Sequence, residues 1–308
     1  MLRWLARALF STLLGCAGAA SAVVCPPLLA PAAAAQAPHD RGLLWRATRD
    51  GRSSWIFGTL HVGKPAWRRF GPQLAAALKA SDVLALEIDP NDPALMAALV
   101  ETTAPKPLPA ALQARLQQAF ERACVAPEAL AALHPVLQAT TLTVLEARWL
   151  GMDPAFALEQ LLLTQAALAP ARRVVSLESA AQQKAALLPD DEAEATALLE
   201  QSLAQLEDRS SRRVLERMAR AWERGDLAAL EDYASWCECA ASEEDRAFMR
   251  RLNDERNAGL ADGIVAQHQQ GRRVFAAVGA LHMTGPQALP RLLAQRGFKV
   301  ERIAFASR

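Results

Sequence analysis

Two histidines occupy the same short setting near opposite ends of the sequence. His61 lies in WIFGTLHVG (Trp55 to Gly63) and His282 in VFAAVGALHMTG (Val274 to Gly285), each an apolar run followed by glycine, two further residues and the histidine. A single histidine after an apolar run is more often a hydrogen-bonded core or loop residue than a ligand. Here two other apolar runs end in acids, LALEID with Glu87 and Asp89 and VVSLES with Glu178. Imidazoles combined with carboxylates are the usual equipment for Zn, Mn, Co or Fe. One edge holding two histidines and two or three acids meets the requirements of metal-assisted hydrolysis. Arg256 joins this set. The apolar stripe Phe248, Leu252, Leu260, Ile264 advances in steps of four, and Arg256 fills the missing step, so its guanidinium should face inward. A buried arginine needs a carboxylate or a bound anion, and Glu87, Glu178 or a substrate are the candidates; the alternative is a staple between two helices.

These residues work together only if strands bring them to one place. GLLWRATRD and SSWIFGTLHVG flank Asp50-Gly51, a hairpin turn signal. Phe70 to Lys79 reads as helix, DVLALEID as a short buried strand and Ala171 to Ser179 as another. Near the end, RRVFAAVGALHMTG, PQALPRLLAQRG and FKVERIAF read as strand, helix and strand, repeating the order of the front segment. Short strand–helix–strand crossovers imply parallel pairs. The expected fold is α/β: a mixed, largely parallel sheet built from N- and C-terminal strand–helix–strand units, with a large helical insertion or cap. In such a sheet, loops leaving the carboxyl ends of strands gather on one edge, where sites form. His61, Glu87, Glu178 and His282 all stand at predicted strand ends, and Gly58 and Gly279 allow the chain to turn or another group to approach.

The chain has 308 residues, about half of them apolar, enough for a full core. A single domain is expected over residues 42–305, with a helical region over about 91–270, rich in Ala, Leu, Glu, Gln and Arg and broken by prolines. Residues 1–35 read as an export signal: Arg3 and Arg7 precede an uncharged apolar stretch that runs into Ala-rich sequence, with Ala35 as the expected cleavage point. Two other readings fit the same segment, lipidation of Cys16 in the imperfect lipobox LLGC and retention of Ala8 to Val24 as an anchor, although that run is short for a span. The protein is therefore expected to be exported and periplasmic, with membrane contact only through a lipid or an uncleaved signal. Arg3 and Arg7 are the only charges before position 36, so the remainder carries 32 basic and 33 acidic residues, a net of −1. That balance calls for no nucleic-acid partner. Without the leader, Cys124, Cys237 and Cys239 remain. A ring through one intervening residue is strained, so Cys124 is expected to pair with one of the other two, leaving one thiol over.

FGTLHVG, VLALEID, VVSLESAAQQ, LNDERN and FAAVGALHMTGPQALPRLLAQRGFKVERI, in this order, resemble the TraB/GumN family, which includes the Tiki-type proteins. The resemblance runs from about Gly42 to Ile303. It implies an α/β fold related to the erythromycin-esterase and ChaN-like group, with a pseudo-symmetric core. It further implies a metal-dependent protease using two Gly-x-x-His motifs and a glutamate, with Mn or Co as the ion and Zn or Fe as alternatives. By that match His61 and His282 are metal-associated and Glu87 is the essential acid, with Glu178 beside Gln183 and Arg256 beside Asn257 at further family positions. Two segments depart from the family pattern: Ala157 and Glu159 replace a Gly-hydrophobic-Asp element, and His134 to Val136 replace Lys-Pro-Trp. Both are expected away from the metal edge.

The expected activity is metal-dependent hydrolysis of a peptide or protein substrate in the cell envelope. His61 and His282 would hold the ion with help from one carboxylate. Glu87 would act as ligand or as the acid that orients or deprotonates the attacking water, while Arg256 and Glu178 would complete the catalytic cluster. A haem- or metal-binding protein, or a non-catalytic accessory of envelope or polysaccharide export, are the alternatives.

Overall fold

The computed structural model describes residues 24–27, 29, 37–100, 107–169 and 171–305. Among the described residues, six strands form one sheet: β1 (Leu43–Arg49), β2 (Arg52–Thr59), β3 (Val83–Leu86), β4 (Arg173–Ser176), β5 (Val274–Gly279) and β6 (Lys299–Ile303), in the order β4-β3-β5-β2-β1-β6. β4, β3, β5 and β2 are mutually parallel, and β1 pairs antiparallel with both β2 and β6. The mixed, largely parallel sheet is therefore as expected.

Local chemistry accounts for each piece. Asp50 and Gly51 both have positive φ, 53° and 72°, so Arg49 pairs directly with Arg52 across a two-residue turn of the kind that matches strand twist. β3 and β5 are covered on both faces, and their runs Val-Leu-Ala-Leu and Val-Phe-Ala-Ala-Val are apolar without alternation, as buried parallel strands require. The helix Pro72–Lys79 starts with proline in its first turn, and Asp40 accepts the N–H groups of Gln73 and Leu74 from outside it.

The two strand–helix–strand units are interleaved rather than side by side. β2 and β3 do not pair with each other; β5, from the far end of the chain, lies between them. Likewise β6 is separated from β5 by β2 and β1. The parallel directions implied by the crossovers hold, but the expected direct pairs do not. Hydrogen bonding to β5 on both sides covers an edge that each half alone would expose.

The helical middle stands as expected, with β4 inserted in it. Trp222, at the end of the helix Ser210–Glu223, donates its indole N–H to the Gly58 carbonyl (2.7 Å) and packs on Trp67 and Phe57. Much of the helical layer instead surrounds a second apolar cluster, with Leu116 and Phe120 from Ala110–Ala123, Val136 and Leu142 from Pro135–Leu145, and Leu199 and Leu203 from Glu192–Glu207. His134 caps the second of these helices with its Nδ1, away from the strand ends as expected. Among the described residues no helix is long and apolar enough to cross a membrane. The export signal, the lipidation of Cys16 and the anchor Ala8 to Val24 fall mainly outside the described residues.

The cysteines differ from expectation. Cys124 is bonded to Cys25, and Cys237 to Cys239. The short ring is accommodated because the intervening Glu238 adopts a left-handed conformation (φ 57°), which folds the turn until the two Cα atoms are 5.0 Å apart.

Candidate functional site

The strand order decides where the chemistry meets. Because β4, β3, β5 and β2 are parallel neighbours, Glu178, Glu87, His282 and His61 follow one another along a single edge of the sheet. β3 and β4 stay paired beyond their ends: the N–H of Glu178 donates to the Glu87 carbonyl (2.9 Å), which sets the two acids side by side.

Arg256 is the hub. Its Nη2 lies 2.5 Å from Glu87 Oε2 and 2.5 Å from Glu178 Oε2, and its Nε donates to Glu178 Oε1 at 2.9 Å. All three side chains are nearly shut off from solvent, with Glu178 at 5 % exposure. Gln183 donates to Glu178 Oε2 (2.6 Å), so both oxygens of that carboxylate are engaged. Arg256 therefore faces inward, as its place in the stripe predicts. The helix carrying it has an unforeseen irregularity: Arg250–Asp254 forms a π-helical turn before the α-helix Glu255–Gln269. Widened turns of this kind recur at functional sites. Here Arg256 Nη1 donates to the Leu252 carbonyl within that turn (2.9 Å).

The carboxylate of Glu87 is held from both ends. Oε2 receives Arg256, and Oε1 receives the Gly279 N–H at 2.6 Å and lies 3.6 Å from His282 Nε2. Burial opposes its charge, but His282, Arg256 and His61 outweigh that and hold the carboxyl well below its usual range. The same pairs act on Arg256, where burial is outweighed by Glu178 and Glu87 and the guanidinium pKa is raised. Asp89 does not join them; its carboxylate accepts the backbone and side-chain N–H groups of Asn91 in the following turn.

Each imidazole faces an oxygen at Nδ1. That of His282, which is buried, lies 2.6 Å from Asn257 Oδ1, and Asn257 is itself fixed by donating to the Gln287 carbonyl. That of His61 lies 3.1 Å from Glu159 Oε1. In a neutral ring an oxygen acceptor at Nδ1 leaves the lone pair on Nε2, the arrangement in which histidine serves as a ligand; at His61, whose carboxylate neighbours favour the imidazolium, a cation would have to displace the Nε2 proton. Gly279 shows how close the groups come. A Cβ placed there would sit 3.2 Å from Glu87 Oε1, 3.5 Å from His282 Cδ2 and 3.9 Å from His61 Nε2. The glycine keeps open the space on which both histidines and the acid border.

Glu159 corrects the sequence reading. The departure at Ala157 and Glu159 was expected away from this edge, yet Glu159 touches His61 and also accepts the Thr59 hydroxyl at 2.5 Å. Its other oxygen, Oε2, is buried without a hydrogen-bond partner. The neighbouring carboxylate raises the His61 pKa to about 9, with Glu87 adding to the effect and Arg256 opposing it. Since 67 % of the His61 side chain meets solvent, the pair is screened, and its consequence is orientation more than stability. A signal for Glu159 was present in the sequence: an acid within the apolar run ALEQLLL of a helix start, where it must find a partner or water.

The residue types suit a divalent ion: two imidazoles that each face an oxygen at Nδ1, a carboxylate oxygen beside the buried one, and a glycine in place of a side chain. Among the described residues, no group of three or more His, Cys, Asp or Glu side chains is already drawn together in a form that would hold one. Arg256 and the Gly279 N–H occupy the Glu87 oxygens instead.

Beside this edge lies an open cavity of about 260 Å³, lined in part by Tyr233, Met249, Arg250, Asp254 and Leu281. Leu281 and Thr284, on either side of His282 in sequence, both line the cavity.

Neither a curated protein nor a solved structure gives a significant match to the chain. The sequence profile described as the TraB/PrgY/gumN family matches residues 43–302, from the first residue of β1 almost to the end of β6. By that match, which spans the sheet but for the last residue of β6 and takes in every residue of the strand-end cluster, the chain belongs to the TraB/PrgY/gumN family.

Proposed function

We propose that this protein is an exported, periplasmic metal-dependent hydrolase that cleaves peptide bonds in the cell envelope. The observation that carries the reading is the pair of imidazoles at the ends of adjacent parallel strands, each facing an oxygen at Nδ1, with a Glu87 oxygen 3.6 Å from Nε2 of His282. His61 and His282 would hold the ion through Nε2, with Glu87 as the nearest carboxylate. A Mn or Co ion there, or Zn or Fe, supplies Lewis acidity toward a carbonyl oxygen and makes water a nucleophile near neutral pH. The protein groups do the positioning. Asn257 and Glu159 orient the two rings. Arg256 ties Glu87 to Glu178, keeps the Glu87 oxygens in place and offers positive charge to a developing oxyanion. With both oxygens already accepting hydrogen bonds, Glu87 is better suited to orienting a water than to taking its proton. The two disulfides support an oxidising compartment.

The test is metal content by elemental mass spectrometry, on protein purified without chelator or His-tag and reloaded with Mn, Co, Zn or Fe. The His61→Ala/His282→Ala double variant runs beside it. Near-stoichiometric metal that disappears in the variant, together with chelator-sensitive peptidase activity that Glu87→Gln abolishes without unfolding the protein, is the expected result. A folded protein with no specific metal would overturn it.

A further inference from the structure

Cys25 lies within the segment that a cut after Ala35 would discard, yet it is covalently part of the fold. Its sulfur is bonded to Cys124, which ends the helix Ala110–Ala123 in a left-handed conformation (φ 53°), a position where glycine is the usual residue. Cys124 is exposed and takes no part in the apolar cluster beneath that helix. Its evident role is the bond. The pairing also sorts the cysteines. The chain has five; Cys25 with Cys124 and Cys237 with Cys239 account for four, and the fifth is Cys16. A cut after Ala35 would leave Cys124 as an exposed thiol in an oxidising compartment. A cut between Cys16 and Cys25 would remove the odd cysteine and preserve both pairs. In that interval the sequence CAGAASAVVC holds two triplets of the A-x-A type read by signal peptidases, Ala17-Gly18-Ala19 and Ala20-Ser21-Ala22.

We propose that the exported chain is cut at one of these two triplets, upstream of Cys25, and that its new N-terminal segment is pinned to the helix Ala110–Ala123 by the Cys25–Cys124 disulfide. Water adds across the peptide bond after Ala19 or Ala22. The two thiols then lose two electrons and two protons to a protein disulfide of the exporting compartment, which is reduced to a dithiol. The bond closes a long stretch of chain, its ends 99 positions apart in sequence. It thereby joins the start of the mature protein to the helical layer, independently of the strand-end cluster. The inference rests on the export reading but not on metal or turnover.

The test expresses the full chain with its own leader in a bacterial host, alkylates free thiols at once with iodoacetamide, and reads the intact mass and the non-reduced peptide map. The expected product begins at Ala20 or Val23, takes up no label before reduction and four labels after it, and yields a linked Cys25–Cys124 peptide. Cys25→Ser and Cys124→Ser should each expose one labelled thiol, lower Tm equally and cause no further loss when combined. An N-terminus at Gln36, a retained Met1, a lipid on Cys16, or a labelled Cys124 in the unmutated protein would each overturn the proposal. If a variant fails to accumulate, the mass of the unmutated protein still decides. Because the readout is a mass, failure of the hydrolase reading would leave it standing.

Discussion

Removing the Arg256 guanidinium should cost more stability than a surface charge can. In the folded protein it is the cation shared by two carboxylates, with Nη2 at 2.5 Å from each, and the Glu87 and Glu178 side chains are only 12 % and 5 % exposed. Arg256→Met keeps much of the aliphatic volume and strands both acids. Breaking a buried pair from one side costs about 3–5 kcal/mol, because the remaining charge stays desolvated. Gln183 still donates to Glu178, and the Gly279 N–H still donates to Glu87, which places the loss near the lower end, about 3 kcal/mol. At about 2–4 °C per kcal/mol for a chain of this class, Tm should fall by about 6–12 °C. The assay is thermal and urea unfolding followed by circular dichroism, on chelator-treated protein so that no cation replaces the lost one. Arg256→Lys should recover only part of the loss, since an ammonium lacks the planar fork that engages both oxygens of Glu178 and still reaches Glu87. Arg256→Met combined with Glu178→Gln should be less damaging than the sum of the two changes. A loss below about 1 kcal/mol, in the range of an exposed pair, would refute the argument, as would a lysine variant indistinguishable from methionine.

Other consequences follow from the same geometry. Glu159→Gln should weaken Mn or Co binding by about 10–100-fold, the usual effect of losing the group that orients a histidine ligand; unchanged affinity by calorimetric titration would remove Glu159 from that role. Gly279→Ala places a methyl 3.2 Å from Glu87 Oε1, so metal uptake should drop while Tm moves by only a few degrees; normal uptake would mean that the space is not used. The pH dependence of stability should carry the mark of His268, which is buried and bonded to Ser54 and Arg49. Burial lowers its pKa below 6.5, so its native state favours the neutral ring. Its contribution to stability is complete above pH 6.5 and declines as pH falls below that value, where the unfolded chain takes up the proton. His268→Gln should flatten that slope in unfolding curves taken from pH 7.5 to 5; an identical slope would refute the assignment.

Much of the strand-end cluster was legible because its signals are local. Arg256 showed itself as a charge in the apolar row from Phe248 to Ile264, and the structure points it inward at the two acids. His61, Glu87, Glu178 and His282 showed themselves as polar residues ending apolar runs. Glu159 is less legible, because within ALEQLLL a departure from the family pattern and a buried acid needing a partner look the same. Its two partners, Thr59 and His61, stand far from it in sequence. The π-helical turn at Arg250–Asp254 had no signal, since a widened turn leaves the spacing of four around Arg256 apparently intact. The cysteine pairing is not legible for two reasons: Cys25 stands in a segment with the composition of a leader, and the left-handed Glu238 that closes the short ring has no compositional mark.

By itself, the sequence determined the types and local settings of the chemistry: which residues end strands, which helix position faces inward, and that the chain repeats one strand–helix–strand order at both ends. Hydrophobic period and turn residues report such things because they act over a few neighbours. Only the tertiary structure decided that β5 lies between β2 and β3, that Glu159 stands behind His61, and that Cys25 reaches Cys124. Those choices are made by contacts between segments distant in the chain, whose energies depend on what else can cover the same surface, and no local pattern records that competition.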